Sequence, residues 1–114
     1  MARPDDLVIS LREVEKEDVR FVGGKAANLG EMIAESFPVP GGFAITAIAY
    51  KLFIRENSLD KKIANLLSTI NYNNPDSLSQ VSRHIKKLII SSTIPQEVVS
   101  GIFKEYEKLG HKVS

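Results

Sequence analysis

Gly23-Gly24-Lys25 stands directly before an apolar-periodic run, and of all the arrangements in this sequence it is the best suited to chemistry. At a helix start the backbone N–H groups lack intrahelical acceptors and the macrodipole is positive, so anions are attracted there. Glycines let a phosphate approach the backbone, and the lysine adds a mobile point charge. A lysine in a first helical turn is unfavourable by roughly 0.3–1 kcal/mol on its own, a cost that a bound anion would offset. The spacing is neither GxxxxGK[ST] nor GxGxxG, so on the residues alone an ordinary exposed helix start ranks ahead of a phosphate site.

Other chemistry-bearing residues carry weaker signals. His84 falls on the polar border of a helical pattern and His111 lies in the C-terminal tail, so both read as surface residues before metal ligands or acid–base groups. Glu31 and Glu35 share a helix face at i, i+4 and read as a solvated pair. Glu13, Glu15, Glu17 and Asp18 form an acidic run, and nothing in the sequence fixes its geometry for a cation, so it is expected to face solvent. The pairs Tyr50/Phe53 and Phe103/Tyr106 are spaced for core packing. No Ser/His/Asp or Cys/His set is available, which leaves nucleophilic catalysis by these residues unsupported.

The elements that must position these groups follow from periodicity and punctuation. Leu7 to Leu11 reads as a short strand, and the charged run Arg12 to Arg20 as loop or frayed turn. A helix is expected over Lys25 to Glu35, with Ala26, Leu29, Met32 and Ile33 on one face, until Phe37-Pro38-Val39-Pro40-Gly41-Gly42 stops it. Phe43-Ala44-Ile45 reads as a second strand. Thr46 is an N-cap for a helix over Ala47 to Asn57 with Tyr50, Phe53 and Ile54 inward, and Asn57-Ser58 breaks it. Ile63, Leu66, Leu67 and Ile70 mark the next helix. Asn74-Pro75-Asp76 then gives a cap, a first-position proline and a dipole-matched acid for a helix carrying Leu78, Val81, Ile85, Leu88 and Ile89, which ends near Ser91-Ser92. Thr93 with Gln96 matches a capping box for a last helix, with Val99, Ile102, Phe103, Tyr106 and Leu109 along one side and Gly110 at its end. Residues 111–114 read as a disordered tail.

The fold class expected is therefore α+β and predominantly helical, about five helices with two short strands. Two strands cannot form an independent sheet, so they pair with each other against the helices or await further strands.

The chain has 114 residues, 43% of them hydrophobic and 25% charged, which suits one folded domain with a modest core. Its net charge of +1 offers no long-range field to attract nucleic acid or an anionic membrane. Residues 1–50 hold five basic and eight acidic groups, and residues 51–114 hold ten and six. There is no cysteine, hence no disulfide or thiol chemistry. There is also no secretory signal pattern and no apolar run long enough to span a bilayer, so a cytoplasmic location is expected.

Two stretches carry a resemblance to a known family: Val22-Gly23-Gly24-Lys25-Ala26-Ala27-Asn28-Leu29-Gly30-Glu31-Met32, and Val39-Pro40-Gly41-Gly42-Phe43-Ala44-Ile45-Thr46 with Ala49, Tyr50 and Phe53 after it. Together they closely resemble the N-terminus of the phosphoenolpyruvate synthases (pyruvate, water dikinases), in a wider group with pyruvate, phosphate dikinase and rifampicin phosphotransferase. The likeness extends over nearly the whole chain. It implies that residues 1–110 open an ATP-grasp-like nucleotide-binding domain in which the motif lysine, matched by Lys25 beside Gly23 and Gly24, contacts ATP phosphates. It further implies an enzyme that uses ATP and Mg²⁺ to phosphorylate a histidine in a swivelling domain and then pyruvate bound in a C-terminal barrel.

This chain departs from the family pattern at Ala26, often Gly or a polar residue, and at Gly41, often Pro or Asn. Family members continue past the equivalent of Val113 into a strand with a nucleotide-contacting Arg-Ser-Ser motif. Neither His84 nor His111 sits in anything resembling the phosphohistidine motif. The expectation is a catalytically incomplete N-terminal piece with ATP and the missing domains as partners, no catalytic or metal-binding residue of its own and no tightly held cofactor. A sibling phosphotransferase and a free-standing helical interaction or regulatory module are the alternative readings.

Overall fold

The computed structural model describes residues 1–110, which form five α-helices and two three-residue strands: β1 (Val8–Ser10), α1 (Val19–Ala34), β2 (Phe43–Ile45), α2 (Ala47–Glu56), α3 (Leu59–Ser68), α4 (Pro75–Ser91) and α5 (Gln96–Lys108). The expected α+β, mainly helical class is the observed one. The chain divides into two compact units, one of residues 1–51 with 95–114 and the other of residues 52–94.

In the first unit β1 and β2 pair antiparallel, Val8 opposite Ile45 and Ser10 opposite Phe43, so the strands satisfy each other. The strand is shorter than the apolar run Leu7 to Leu11: Leu11 leaves it for a 3-10 turn over Leu11–Glu13, where its N–H donates to the Gly42 carbonyl at 3.0 Å. A core of Ala2, Ile9, Leu11 and Val14 is covered by Phe21, Val22, Ala26, Leu29 and Ile33 from α1 and by Ala44 from β2. Both sequence motifs thus contribute to one core. Met32, expected on the same face, is 40% exposed because its step around the helix carries it off the contact.

The charged run is more ordered than its composition suggests. Asp18, expected to face solvent, is 1% exposed, and its Oδ2 accepts from the N–H groups of Ala2 and Glu15, each at 2.9 Å. Two N–H donors are what make a buried carboxylate tolerable. Glu13, Glu15 and Glu17 are exposed as expected. Thr46 caps α2 as its position predicts: Oγ1 accepts from Ala49 N–H at 3.2 Å and donates to the Asp6 carbonyl at 2.6 Å.

Helix α5 is rotated from the expected phase. Val98 is buried, and Gly101 lies so close to β1 that an added Cβ would stand 2.9 Å from Val8 Cγ2. Phe103 is 63% exposed and Tyr106 lies at the helix margin, so the aromatic pair is not core. A glycine on a helix passes unnoticed in a search for apolar spacing, yet here it marks the packed side. The capping box Thr93/Gln96 does not form, because the chain turns at Pro95 and Thr93 is engaged elsewhere. Tyr50 is 61% exposed on α2, leaving Phe53 and Ile54 as the half-buried residues of its expected inner face.

The second unit pairs α3 with α4. Asn74, Pro75 and Asp76 start α4 as predicted, with Asn74 Oδ1 accepting from Asp76 N–H at 3.0 Å. Val81 is buried, Ile85 and Leu88 are half-buried, and Leu78, Ile89 and Leu67 are exposed against expectation. The fully buried residue of α3 is Leu59, one place past the break, where Ser58 takes a left-handed φ of 52°.

Candidate functional site

The glycine pair does not precede a helix; it interrupts one. Helix α1 starts at Val19, and its regular dihedrals fail at Gly23, where φ is 84° and ψ is 168°. That combination is open essentially to glycine alone. Helical geometry resumes at Gly24, so Gly24 and Lys25 occupy the first turn of a renewed helix, the position the sequence argument requires for Lys25. A Cβ added at Gly23 or Gly24 would meet nothing within 4 Å, so the backbone here is open to approach from outside.

Gly23, Gly24 and Lys25 are exposed, and among the described residues Lys25 enters no ion pair. The ammonium is therefore available. Arg20, five residues earlier, lies over the Phe21 ring at 4.8 Å.

Three clefts of the first unit, of about 570, 250 and 420 Å³, have neither Gly23, Gly24 nor Lys25 in their walls. The smallest sets Arg12 and Lys108 beside Glu13 and Glu105 around Gly41 and Gly42. Lys108 Nζ lies 2.8 Å from Glu105 Oε2, and that hydrogen bond and charge raise the Lys108 pKa above its ordinary value. Balanced charges of this kind give no preference for a polyanion, which leaves the Lys25 surface as the better phosphate candidate.

The remaining sequence candidates lie elsewhere in the chain. Glu31 is half-buried and Glu35 exposed farther along α1. His84 is exposed on α4, in the second unit, and His111 lies outside the described residues. Among the described residues no three His, Asp or Glu side chains group together. Among the described residues no helix is long and apolar enough to cross a membrane.

Residues 19–114 match the family described as pyruvate phosphate dikinase, AMP/ATP-binding domain. The chain belongs to that family. Among similar proteins, a probable phosphoenolpyruvate synthase of Staphylothermus marinus is 45% identical over 93% of this chain and 13% of its own length. One of Methanocaldococcus jannaschii is 41% identical over 87% of the chain and 8% of its length. The phosphoenolpyruvate synthase of Synechocystis is 35% identical over 94% and 14%. The chain thus spans roughly a tenth of these relatives, and the match to the AMP/ATP-binding domain family starts at the first residue of α1, the helix that carries Gly23, Gly24 and Lys25.

Proposed function

We propose that residues 1–110 form the opening part of the nucleotide-binding domain of a phosphoenolpyruvate synthase, and that Lys25, with the backbone at Gly23 and Gly24, binds the phosphates of ATP. The observation that carries this reading is the break at Gly23, which puts an ammonium with no ion pair among the described residues in the first turn of a renewed helix, beside glycines whose added Cβ would meet nothing within 4 Å. The family membership supports ATP or AMP as the ligand class.

Lys25 would neutralise charge on the phosphate chain and hold it against the helix start. Phosphoryl transfer depends mainly on such positioning and neutralisation. An open surface binds weakly, and the opposing wall would come from the longer polypeptide that the relatives possess. In this proposal that polypeptide also supplies the Mg²⁺ ligands, the phosphorylated histidine and the pyruvate site, and the assembly works in the cytoplasm. This chain contributes binding and not the transfer step.

Titration calorimetry with ATP tests the assignment, using the chain alone and mixed with the remaining part of a phosphoenolpyruvate synthase. Weak binding alone, tightening in the mixture and falling at least about tenfold in Lys25→Ala, is expected. Equal affinity of Lys25→Ala and the parent in both conditions would refute it.

A further inference from the structure

A groove of about 490 Å³ runs between α3 and α4 in the second unit. Its walls are Lys62, Asn65 and Leu66 from α3 and His84, Lys87, Leu88 and Ser91 from α4. The spacings are helical on both sides, i, i+3, i+4 on α3 and i, i+3, i+4, i+7 on α4, so each helix turns one continuous edge toward the groove. Half-buried Leu66 and Leu88 provide its apolar part, and the exposed Lys62 and Lys87 provide its charge.

No carboxylate lies in this lining. The unit has six Lys and Arg against three acids, and Glu56, Asp60 and Asp76 are all elsewhere: Glu56 ends α2, and the other two sit in first turns, where the helix dipole favours them. Lys62 on one wall and Lys87 on the other flank Leu66 and Leu88, and the α4 wall is about 10 Å long, given 1.5 Å of rise per residue from His84 to Ser91. That length matches about two turns of a third helix. The arrangement calls for a ligand with an apolar stripe and negative charge on both flanks.

We propose that the α3–α4 groove is a docking site for an acidic amphipathic helix of a partner polypeptide. Apolar side chains of that helix seat on Leu66 and Leu88, and its flanking Glu or Asp residues pair with Lys62 and Lys87. The proposal is independent of nucleotide binding at Lys25.

The probe is a fluorescein-labelled synthetic peptide of about 14 residues, leucines on one helical stripe and glutamates on both flanks, with a second peptide carrying lysines in place of the glutamates. Fluorescence anisotropy with the full chain is expected to show saturable binding of the acidic peptide and none of the basic one. Lys62→Glu/Lys87→Glu should weaken the acidic peptide at least about tenfold and admit the basic one. Amide shifts in NMR spectra should concentrate at residues 62–66 and 84–91. Both lysines are exposed, and circular dichroism checks that the double variant keeps its helices. The proposal is overturned by an absence of saturable binding, by binding that ignores the charge reversal, or by shifts that map elsewhere. Lys62/Lys87-dependent binding to phosphatidylserine vesicles without peptide binding would assign the groove to membranes instead. Dimers in sedimentation that the double variant abolishes would assign it to a second copy of the chain.

Discussion

Asn57 and Thr93 hold each other through a reciprocal pair of hydrogen bonds across 36 residues: Asn57 Nδ2 donates to the Thr93 carbonyl at 2.8 Å, and Thr93 N–H donates to Asn57 Oδ1 at 3.2 Å. Asn57 Nδ2 also donates to the Phe53 carbonyl at 3.0 Å, near the end of α2. One amide side chain therefore terminates α2 and ties the entrance of α3 to the exit of α4. This closure keeps α3 and α4 side by side, and with them the edges that line the groove between them.

Asn57→Ala removes these bonds and leaves the Thr93 N–H and two carbonyls to find water. The expected cost is about 0.5–1.5 kcal/mol, read as a lower urea midpoint with an unchanged slope. Asn57→Asp should be no better than alanine, since it keeps the acceptor for Thr93 N–H but places a charged oxygen against two carbonyls. An alanine variant with the parent midpoint would show that the clamp is not a source of stability.

The sequence made the class and element order legible, because turn chemistry was explicit at Thr46, Asn74-Pro75-Asp76 and Gly110. It also made Lys25 legible through its glycines, though not that Gly23 interrupts a helix already begun at Val19. What stayed hidden were relations between distant residues. Asn57 holds the backbone N–H and carbonyl of Thr93 while α5 starts only at Gln96, so a sequence match to a capping box did not become a cap. Gly101 presses on Val8, which turns α5 away from its aromatic residues. Asp18 is buried because Ala2 and Glu15 offer donors, and Ala2 lies 16 residues earlier in the chain. Periodicity reports which side chains are apolar, not which small residues permit close approach.

Close approach sets the cost of a substitution at Gly30. A Cβ there would stand 2.5 Å from the Val14 carbonyl oxygen and 3.0 Å from the Val14 side chain, so α1 would have to move off the core. Gly30→Ala should lower stability by about 1–3 kcal/mol, despite alanine's better helix propensity. Thermal unfolding followed by circular dichroism reads the effect. Equal or higher stability would mean that α1 can shift without cost.

The Asp18 carboxylate is expected to matter more than any of the exposed glutamates near it. Asp18→Ala leaves the Ala2 and Glu15 N–H groups without their acceptor in a buried position and should cost about 2–3 kcal/mol. Glu17→Ala, on the exposed side of the same turn, should change stability by less than about 0.5 kcal/mol. Similar losses for the two variants in urea titrations would contradict the role assigned to Asp18.

Gly23 and Gly24 separate folding from nucleotide binding. Gly23 occupies a backbone region that an alanine enters at a cost of about 1–3 kcal/mol, so Gly23→Ala should lose stability although no atom blocks the new methyl group. Gly24 has ordinary helical dihedrals and open space, so Gly24→Ala should be neutral or more stable by about 0.4–1 kcal/mol. If phosphates approach the backbone at this position, the same methyl group obstructs them. Gly24→Ala is then expected to keep or raise the unfolding midpoint while weakening ATP binding severalfold, measured with the remaining domains present. Unchanged ATP affinity in that variant would place the phosphates away from Gly24, while loss of both stability and affinity would show that Gly24, too, is held in a conformation alanine cannot adopt.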